Sequence, residues 1–419
     1  MKRNQAEPSG AKRVLAGLLA LWVMCVTLPL PAAGEWLMET EAGEDPYELI
    51  VAADADEWTE TANLPADASA LTVGGKAAIL MDMDTGAVLY EHDADTPLPI
   101  ASVTKIMTLL LIMEALEDGR LSEDETATCS ATAAAYGGSQ IWLEEGETMT
   151  VHDLLKAITV VSANDACAVM AEHLCGSAEA FVAAMNDRAA ALGMSGTDFR
   201  DCCGLDDTAT STARDVAIMS RELMAHQGIT AYTTIWMDTL RGGQSQLVNT
   251  NKMIRYYNGA TGLKTGTTST AGYCLSATAE RDGLRLCAVI LGCASTDERF
   301  GGARTMLDYG FANYAVYTPS APADKLTPVP VLHGTEPTVQ PTVPPMGRVL
   351  VRKGDEARVT CTVTLAQDVT APVRKGETLG QVTVTLDGEE LAAYPVVAKT
   401  AVPRLTFGAA FWRLWQALA

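Results

Sequence analysis

The spacing of apolar and polar positions changes character several times along the chain. Apolar residues first gather in two short blocks, Ala77 to Met81 and Ala87 to Tyr90, with Asp84-Thr85-Gly86 between them. That pattern predicts two strands joined by a tight turn. From Ser102 onward, Ile106, Leu109, Leu110, Met113 and Leu116 make a segment apolar nearly all round, which predicts a helix running through a core. Helical periodicity continues in TVHDLLKAITVV, in DACAVMAEHL, in AEAFVAAMNDRAAALG, ended by Gly193, and in TARDVAIMSRELMAH. Strand character returns in AGYCLSATAERDGLRLCAVILGCA, a hairpin turning at Asp282-Gly283, before a closing helix in RFGGARTMLDYGFANYA. Strands at both ends with helices between predict a layered α/β domain over residues 75–317 whose first and last strands share one sheet.

The flanks differ in kind. Residues 318–345 are proline-rich and read as a stiff connection. In residues 346–400 the segments RVLVRKG, ARVTCTVTLA, GQVTVTLDG and ELAAYPVV alternate with period two, which predicts a small all-β domain. The last stretch, 401–419, places Phe407, Phe411, Leu414, Trp415 and Leu418 on one helical face and carries no acidic residue after Val402. It is too short to span a bilayer, and its aromatic face suits a helix lying in a membrane interface or packing on the β domain. At the other end, Lys2, Arg3, Lys12 and Arg13 precede the apolar run Val14 to Leu30 and the small residues near Ala33 and Gly34. Residues 1–34 read as a secretory signal peptide, with a retained anchor as the alternative, and the acidic 35–74 as an extended lead-in.

Composition narrows the functional classes. The chain has 419 residues and a net charge of −22, so it offers no basic surface for a nucleic acid and any membrane contact must be local and apolar. Ten cysteines, one of them Cys25 in the leader, leave an odd nine in the exported chain. That does not make a disulfide framework. Several sit in apolar runs such as LRLCAVILGCA, where a thiol packs as a small hydrophobe; the vicinal Cys202-Cys203 is the pair to watch for redox chemistry. No spacing suggests a metal site, and neither a metal nor a cofactor is expected.

Three short constellations carry candidate chemistry. Ser102 and Lys105 stand three residues apart at the start of the apolar helix, after Pro99, so their side chains share a face about 5 Å apart. A serine hydroxyl becomes a nucleophile when a base takes its proton, and a lysine is such a base when burial or a second cation destabilises its ammonium. Ser162-Ala163-Asn164 offers a hydroxyl to pass a proton and an amide to hold a substrate carbonyl. Lys264-Thr265-Gly266 offers a cation and a hydroxyl for an anionic group and a side-chain-free position for substrate along a strand. Taken singly, each reads as well as a helix start, a cap or a turn. A Gly-x-Ser-x-Gly motif is absent and the five histidines show no pairing by sequence.

Together and in this order the three match the set found in penicillin-binding proteins and β-lactamases. From about Gly75 to Ala315 the chain resembles the low-molecular-mass D-alanyl-D-alanine carboxypeptidases, in GGSQIWLEEGE, VSANDACAVMAEH, STARDVA, GLKTGTT and AGYCLSATA. One departure is Ala163, where many relatives have glycine. The resemblance implies a β-lactamase/transpeptidase-like domain, an antiparallel sheet flanked by helices with a helical subdomain, followed by the small β domain and a membrane-anchoring helix on the outer face of the cytoplasmic membrane. It implies Ser102 as nucleophile, Lys105 as base, Ser162 as proton relay and Asn164 as substrate-orienting group. Lys264 would steady the protons, Thr265 would bind the terminal carboxylate, and the N–H groups of Ser102 and Thr267 would hold the oxyanion. The implied partners are peptidoglycan stem peptides ending in D-Ala-D-Ala and β-lactam antibiotics. Two alternatives stand beside it. A class A β-lactamase needs a deacylating glutamate, and Glu172, Glu179 and Glu222 do not resemble its Glu-x-x-Leu-Asn pattern; an inactive wall-sensing relative would bind penicillin without releasing D-alanine.

Overall fold

The computed structural model describes residues 67–418; the expected leader and most of the acidic lead-in lie outside them. The central sheet has five antiparallel strands, β1 (Ala77–Asp82), β2 (Val88–His92), β3 (Ala260–Thr268), β4 (Gly272–Arg281) and β5 (Leu284–Cys293), in the order β2-β1-β5-β4-β3. The first and last of them are neighbours, with Ile79 opposite Val289. Both faces are buried, and the period-two alternation of β1 shows it. Ala77, Ile79 and Met81 join one apolar core, whereas Ala78 and Leu80 join a second.

Helices cover both faces. On one side, α6 (Thr296–Asn313) lays Phe300, Ala303, Met306 and Leu307 on Leu80, Leu286 and Ile290. On the other lie α1 (Lys105–Glu117), α2 (Val151–Val160), α3 (Asn164–Cys175), α4 (Ala178–Ala191) and α5 (Ala213–Leu223). Their starts are written locally: the hydroxyls of Thr150, Ser177 and Thr212 accept the N–H groups of Asp153, Ala180 and Asp215 at 3.1, 3.1 and 3.0 Å. α1 is apolar nearly all round and buries Ile106, Leu109, Leu110 and Met113, as its sequence predicts; Leu116 is half-buried.

Ser102 belongs not to α1 but to the tight 3-10 turn Ala101–Thr104 that feeds it. This turn is gripped from two sides, where a side chain would not fit. A Cβ on Gly204 would lie 2.0 Å from the Ala101 oxygen, and one on Gly266 would lie 2.6 Å from the Ile100 oxygen and 3.0 Å from the Ser102 nitrogen. Ala101 itself takes a left-handed φ of 47°.

The C-terminal part departs from its sequence reading in two ways. The proline-rich stretch is not a plain connection: β7 (Val329–Leu332) pairs with Val369–Thr370, and Pro341–Thr342 pairs with β11 (Glu389–Ala398). Val329, Val331 and Val339 are buried in the small core while Pro330 between the first two is exposed, so this proline occupies the outward position of a short strand, whereas Pro341 is buried. The remaining strands are β8 (Val349–Arg352), β9 (Val359–Leu365) and β10 (Thr378–Leu386), with β9, β10 and β11 forming an antiparallel sheet. The domain is tied to the end of α6 by β6 (Tyr314–Tyr317), which pairs with β8. Secondly, the tail is anchored before it becomes helical. Val402 is buried, and its N–H bonds to the Val373 oxygen at 2.9 Å, before α7 (Phe407–Leu418) begins.

Substitution Gly204→Ala should lower the stability of the α/β domain by roughly 2 kcal/mol or more, because φ is +84° and the new methyl meets backbone rather than a movable side chain. Thermal denaturation checks this. An unchanged melting temperature would mean that Gly204 does not press on the Ser102 turn.

Candidate active site

The grip on the turn aims Ser102 at Lys105. The Lys105 Nζ lies 2.7 Å from the Ser102 Oγ and donates to the Cys203 carbonyl at 2.9 Å, and the Lys105 residue is 0 % exposed. One turn further along α1, Thr108 donates to the Cys202 carbonyl at 2.5 Å. The vicinal cysteines therefore serve the site through their backbone. Their thiols are buried, and all nine cysteines from Cys129 to Cys361 are free.

The second constellation sits between α2 and α3. Ser162 is 0 % exposed and held at a left-handed φ of 64°. Asn164 opens α3, its backbone N–H donating to the Ser139 oxygen and its Nδ2 to the Gly137 oxygen, both at 2.7 Å. Among the described residues, Ser162 Oγ and Asn164 Oδ1 are buried polar atoms that no hydrogen bond satisfies. Such atoms are rare in folded proteins and concentrate where a ligand or a proton is handled. With one N–H given to Gly137, the Asn164 amide keeps an acceptor and a second N–H, a pair that suits a peptide unit better than a carbonyl alone.

The third constellation lies on β3, the sheet edge that faces the Ser102 turn. Lys264 is 1 % exposed and donates to the Thr265 oxygen at 2.9 Å, while the Thr265 hydroxyl meets that of Thr250 at 2.8 Å. Cys167 in the first turn of α3 has its thiol pushed up by burial, and both Lys105 and Lys264 pull it back. The missing side chain of Gly266 admits the backbone of Ile100, Ser102 and Val103.

Several contributors carry no motif. Arg299 of α6 is 0 % exposed and donates to the Thr267 Oγ1 at 3.2 Å, with its guanidinium 4.7 Å from the Phe300 ring centre. It puts a buried positive charge beside the end of the Lys-Thr-Gly strand. The loop 201–207 straps the pieces together: Asp201 accepts from Cys203 N and Gly204 N, and Asp207 accepts from the hydroxyls of Thr268 and Thr270 at 2.8 and 2.7 Å. Asp165, next to Asn164, is fully buried and accepts the N–H groups of Ile141, Leu143 and Ala166 at 3.1, 3.0 and 2.9 Å. Burial pushes its carboxyl above the usual range against the pull of those donors. In the sequence only its adjacency to Asn164 marked it. The histidines stay outside: His152, His173 and His226 each face a glutamate, Glu123, Glu125 and Glu117.

Comparison with known proteins agrees with this arrangement. A family model described as D-alanyl-D-alanine carboxypeptidase matches residues 64–295, and one described as the C-terminal domain of penicillin-binding protein 5 matches residues 317–404. The chain is 39% identical over 344 residues to the D-alanyl-D-alanine carboxypeptidase DacF of Bacillus subtilis, covering 81% of this chain and 88% of that one. It is 32% identical over 354 residues to DacC of Escherichia coli, covering 82% and 88%. Among solved structures, penicillin binding protein 5 from Haemophilus influenzae superposes with a TM-score of 0.70 at 27% identity, over 80% of this chain and 99% of that one. Penicillin-binding protein D2 from Listeria monocytogenes in its ampicillin-bound form gives 0.51 at 34% identity, over 57% and 99%. With a buried Ser102-Lys105 pair in a gripped turn, two further motifs around it and relatives of this closeness over most of its length, the chain belongs to the D-alanyl-D-alanine carboxypeptidase family.

Proposed function

We propose that this chain is a serine-type D-Ala-D-Ala carboxypeptidase that removes the terminal D-alanine from peptidoglycan stem peptides through an acyl-enzyme on Ser102, and that β-lactams acylate the same hydroxyl. The observation that carries this reading is the 2.7 Å contact between Ser102 Oγ and a fully buried Lys105 Nζ. Ser102 Oγ attacks the carbonyl between the two D-alanines while Lys105 takes its proton. The negative charge that develops on the carbonyl oxygen is met by the N–H groups of Ser102 and Thr267, the latter next in sequence to the Gly266 that packs on the Ser102 turn. Ser162 Oγ, buried and without another partner, passes a proton to the departing D-alanine amine, and Asn164 holds the peptide unit on the acyl side. The terminal carboxylate is met by Thr265 and Thr267, with Arg299 behind them supplying the charge. Water then releases the acyl group; in a β-lactam the leaving nitrogen stays tethered, so the adduct persists.

The setting of the enzyme is extracytoplasmic, as the leader suggests. α7 attaches it to a membrane surface: Phe407, Phe411, Trp412, Trp415 and Leu418 are all exposed, a continuous apolar display without an acidic neighbour. Among the described residues no helix is long and apolar enough to cross a membrane.

Lys105→Arg keeps the positive charge but cannot act as a base. It should slow acylation by fluorescent penicillin by roughly 10²-fold or more, while Ser102→Ala should abolish both labelling and D-alanine release from a D-Ala-D-Ala peptide. Labelling of the arginine variant at the unmodified rate would remove Lys105 from the reaction. A chain ending at Arg404 should stay in the supernatant when sedimented with phosphatidylglycerol/phosphatidylethanolamine vesicles that carry down the longer protein; equal partition of the two forms would rule out α7 as the attachment.

A further inference from the structure

The acyl-transfer chemistry uses no residue of the small β domain, and the two ends of that domain differ in charge. β10 and β11 run its length, with Leu386 opposite Glu389 at one end and Thr378 opposite Val397 at the other. The first end holds the core shared with Ala315 and Tyr317 of β6 and so adjoins the α/β domain. It is acidic. Asp387, Glu389 and Glu390 stand at its hairpin turn, and Arg358 there is paired with Asp355 at 2.6 Å and with Asp387. The second end holds the core of Val331, Val373, Leu379, Ala398 and Val402, and α7 follows from it. Here Arg374, Lys375, Lys399 and Arg404 are all exposed, and among the described residues none of the four takes part in an ion pair.

Backbone pairing brings these cations together from separate segments. Val373 and Val402 exchange two hydrogen bonds at 2.9 Å, which set the turn carrying Arg374 and Lys375 beside the root of α7. The Gly376 N–H of the same turn bonds to the Ala398 oxygen at 2.9 Å, so Lys399 is its neighbour. Arg404 bridges to Gly334, and the Leu405 N–H bonds to the His333 oxygen at 2.8 Å, which fixes an exposed Leu332 next to them. Two carboxylates share this end, Glu336 and Glu377, and the second accepts the Arg374 N–H at 2.8 Å. The balance stays positive, in a chain of net charge −22 where no acidic residue follows Glu390. Unpaired cations at the root of an exposed apolar helix complement anionic headgroups lying over acyl chains. We propose that Arg374, Lys375, Lys399 and Arg404 form a second membrane contact, a rim of the β domain that rests on anionic lipid headgroups while α7 enters the interface. The enzyme is then held by two elements at one end of the β domain and selects anionic over zwitterionic membranes. This rests on α7 as the attachment and adds to it a surface that α7 does not contain.

The test measures partition of the full chain onto phosphatidylglycerol vesicles and onto phosphatidylcholine vesicles, each at low and at high salt. The unmodified chain should prefer the anionic vesicles, and salt should weaken that preference. Arg374→Gln, Lys375→Gln and Lys399→Gln combined should cost about 10²-fold on the anionic vesicles, the scale of three cations near a charged surface. Partition of this variant onto phosphatidylcholine should stay within about 2-fold, with its melting temperature and its D-alanine release from a soluble peptide unchanged. Equal partition of the unmodified chain onto the two vesicles, an undiminished hold of the triple variant on the anionic ones, or an equal fall on both overturns the rim. Binding of the unmodified chain to soluble polyphosphate as tightly as to the anionic vesicles also overturns it, by giving these cations a wall polyanion as partner. Failure of the unmodified chain to bind vesicles of either composition would instead overturn the α7 attachment beneath it.

Discussion

The site depends on keeping a lysine side chain inside the protein and within reach of one hydroxyl. A lysine amine taken out of water needs hydrogen-bond partners, and here Lys105 finds two, the Ser102 hydroxyl and the Cys203 carbonyl. Both must be presented at the right distance, and neither is on the same element as the other. The Cys203 carbonyl arrives on a loop that presses against Ala101 through Gly204, while β3 presses from the opposite side through Gly266. A turn caught between two backbones without side chains has little freedom to drift. Nucleophile and base thus keep their separation.

Part of the strain in the fold lies in the segments that carry the motifs. Ala101, Ser162 and Trp142 all hold left-handed backbone, and the hydroxyl of Ser162 and the amide oxygen of Asn164 are buried without partners. Each feature works against stability by itself. The apolar framework is large enough to hold them: helices pack on both faces of the sheet and the two cores meet through it. Local sequence preference and global fold agree through most of the domain and part company where the chemistry is, which is the distribution expected when function rather than stability chose the residues.

What could be read in the sequence divides along physical lines. The hairpins at Asp84-Thr85-Gly86 and Asp282-Gly283 and the capped helices were legible because turn chemistry and periodicity are local. The three motifs were legible as residue types in order. Less legible was anything set by contacts across the fold. At Gly266 nothing in the sequence marked that the missing side chain admits the Ser102 turn. Arg299, 32 residues from Thr267 in sequence, offered no signal beyond a basic residue after a helix cap. Proline content hid β7, because proline at outward-facing positions of short strands reads as a connection until the buried Val329 and Val331 are seen between them.

The most direct measurement of the central claim is peptide mapping by mass spectrometry after brief exposure of the full chain to benzylpenicillin at neutral pH. The penicilloyl group should be found on Ser102, in near-stoichiometric amount and surviving long enough to isolate. An adduct on a cysteine or on any other serine, with Ser102 unmodified, would contradict the assignment of Ser102 and Lys105 as the reacting pair.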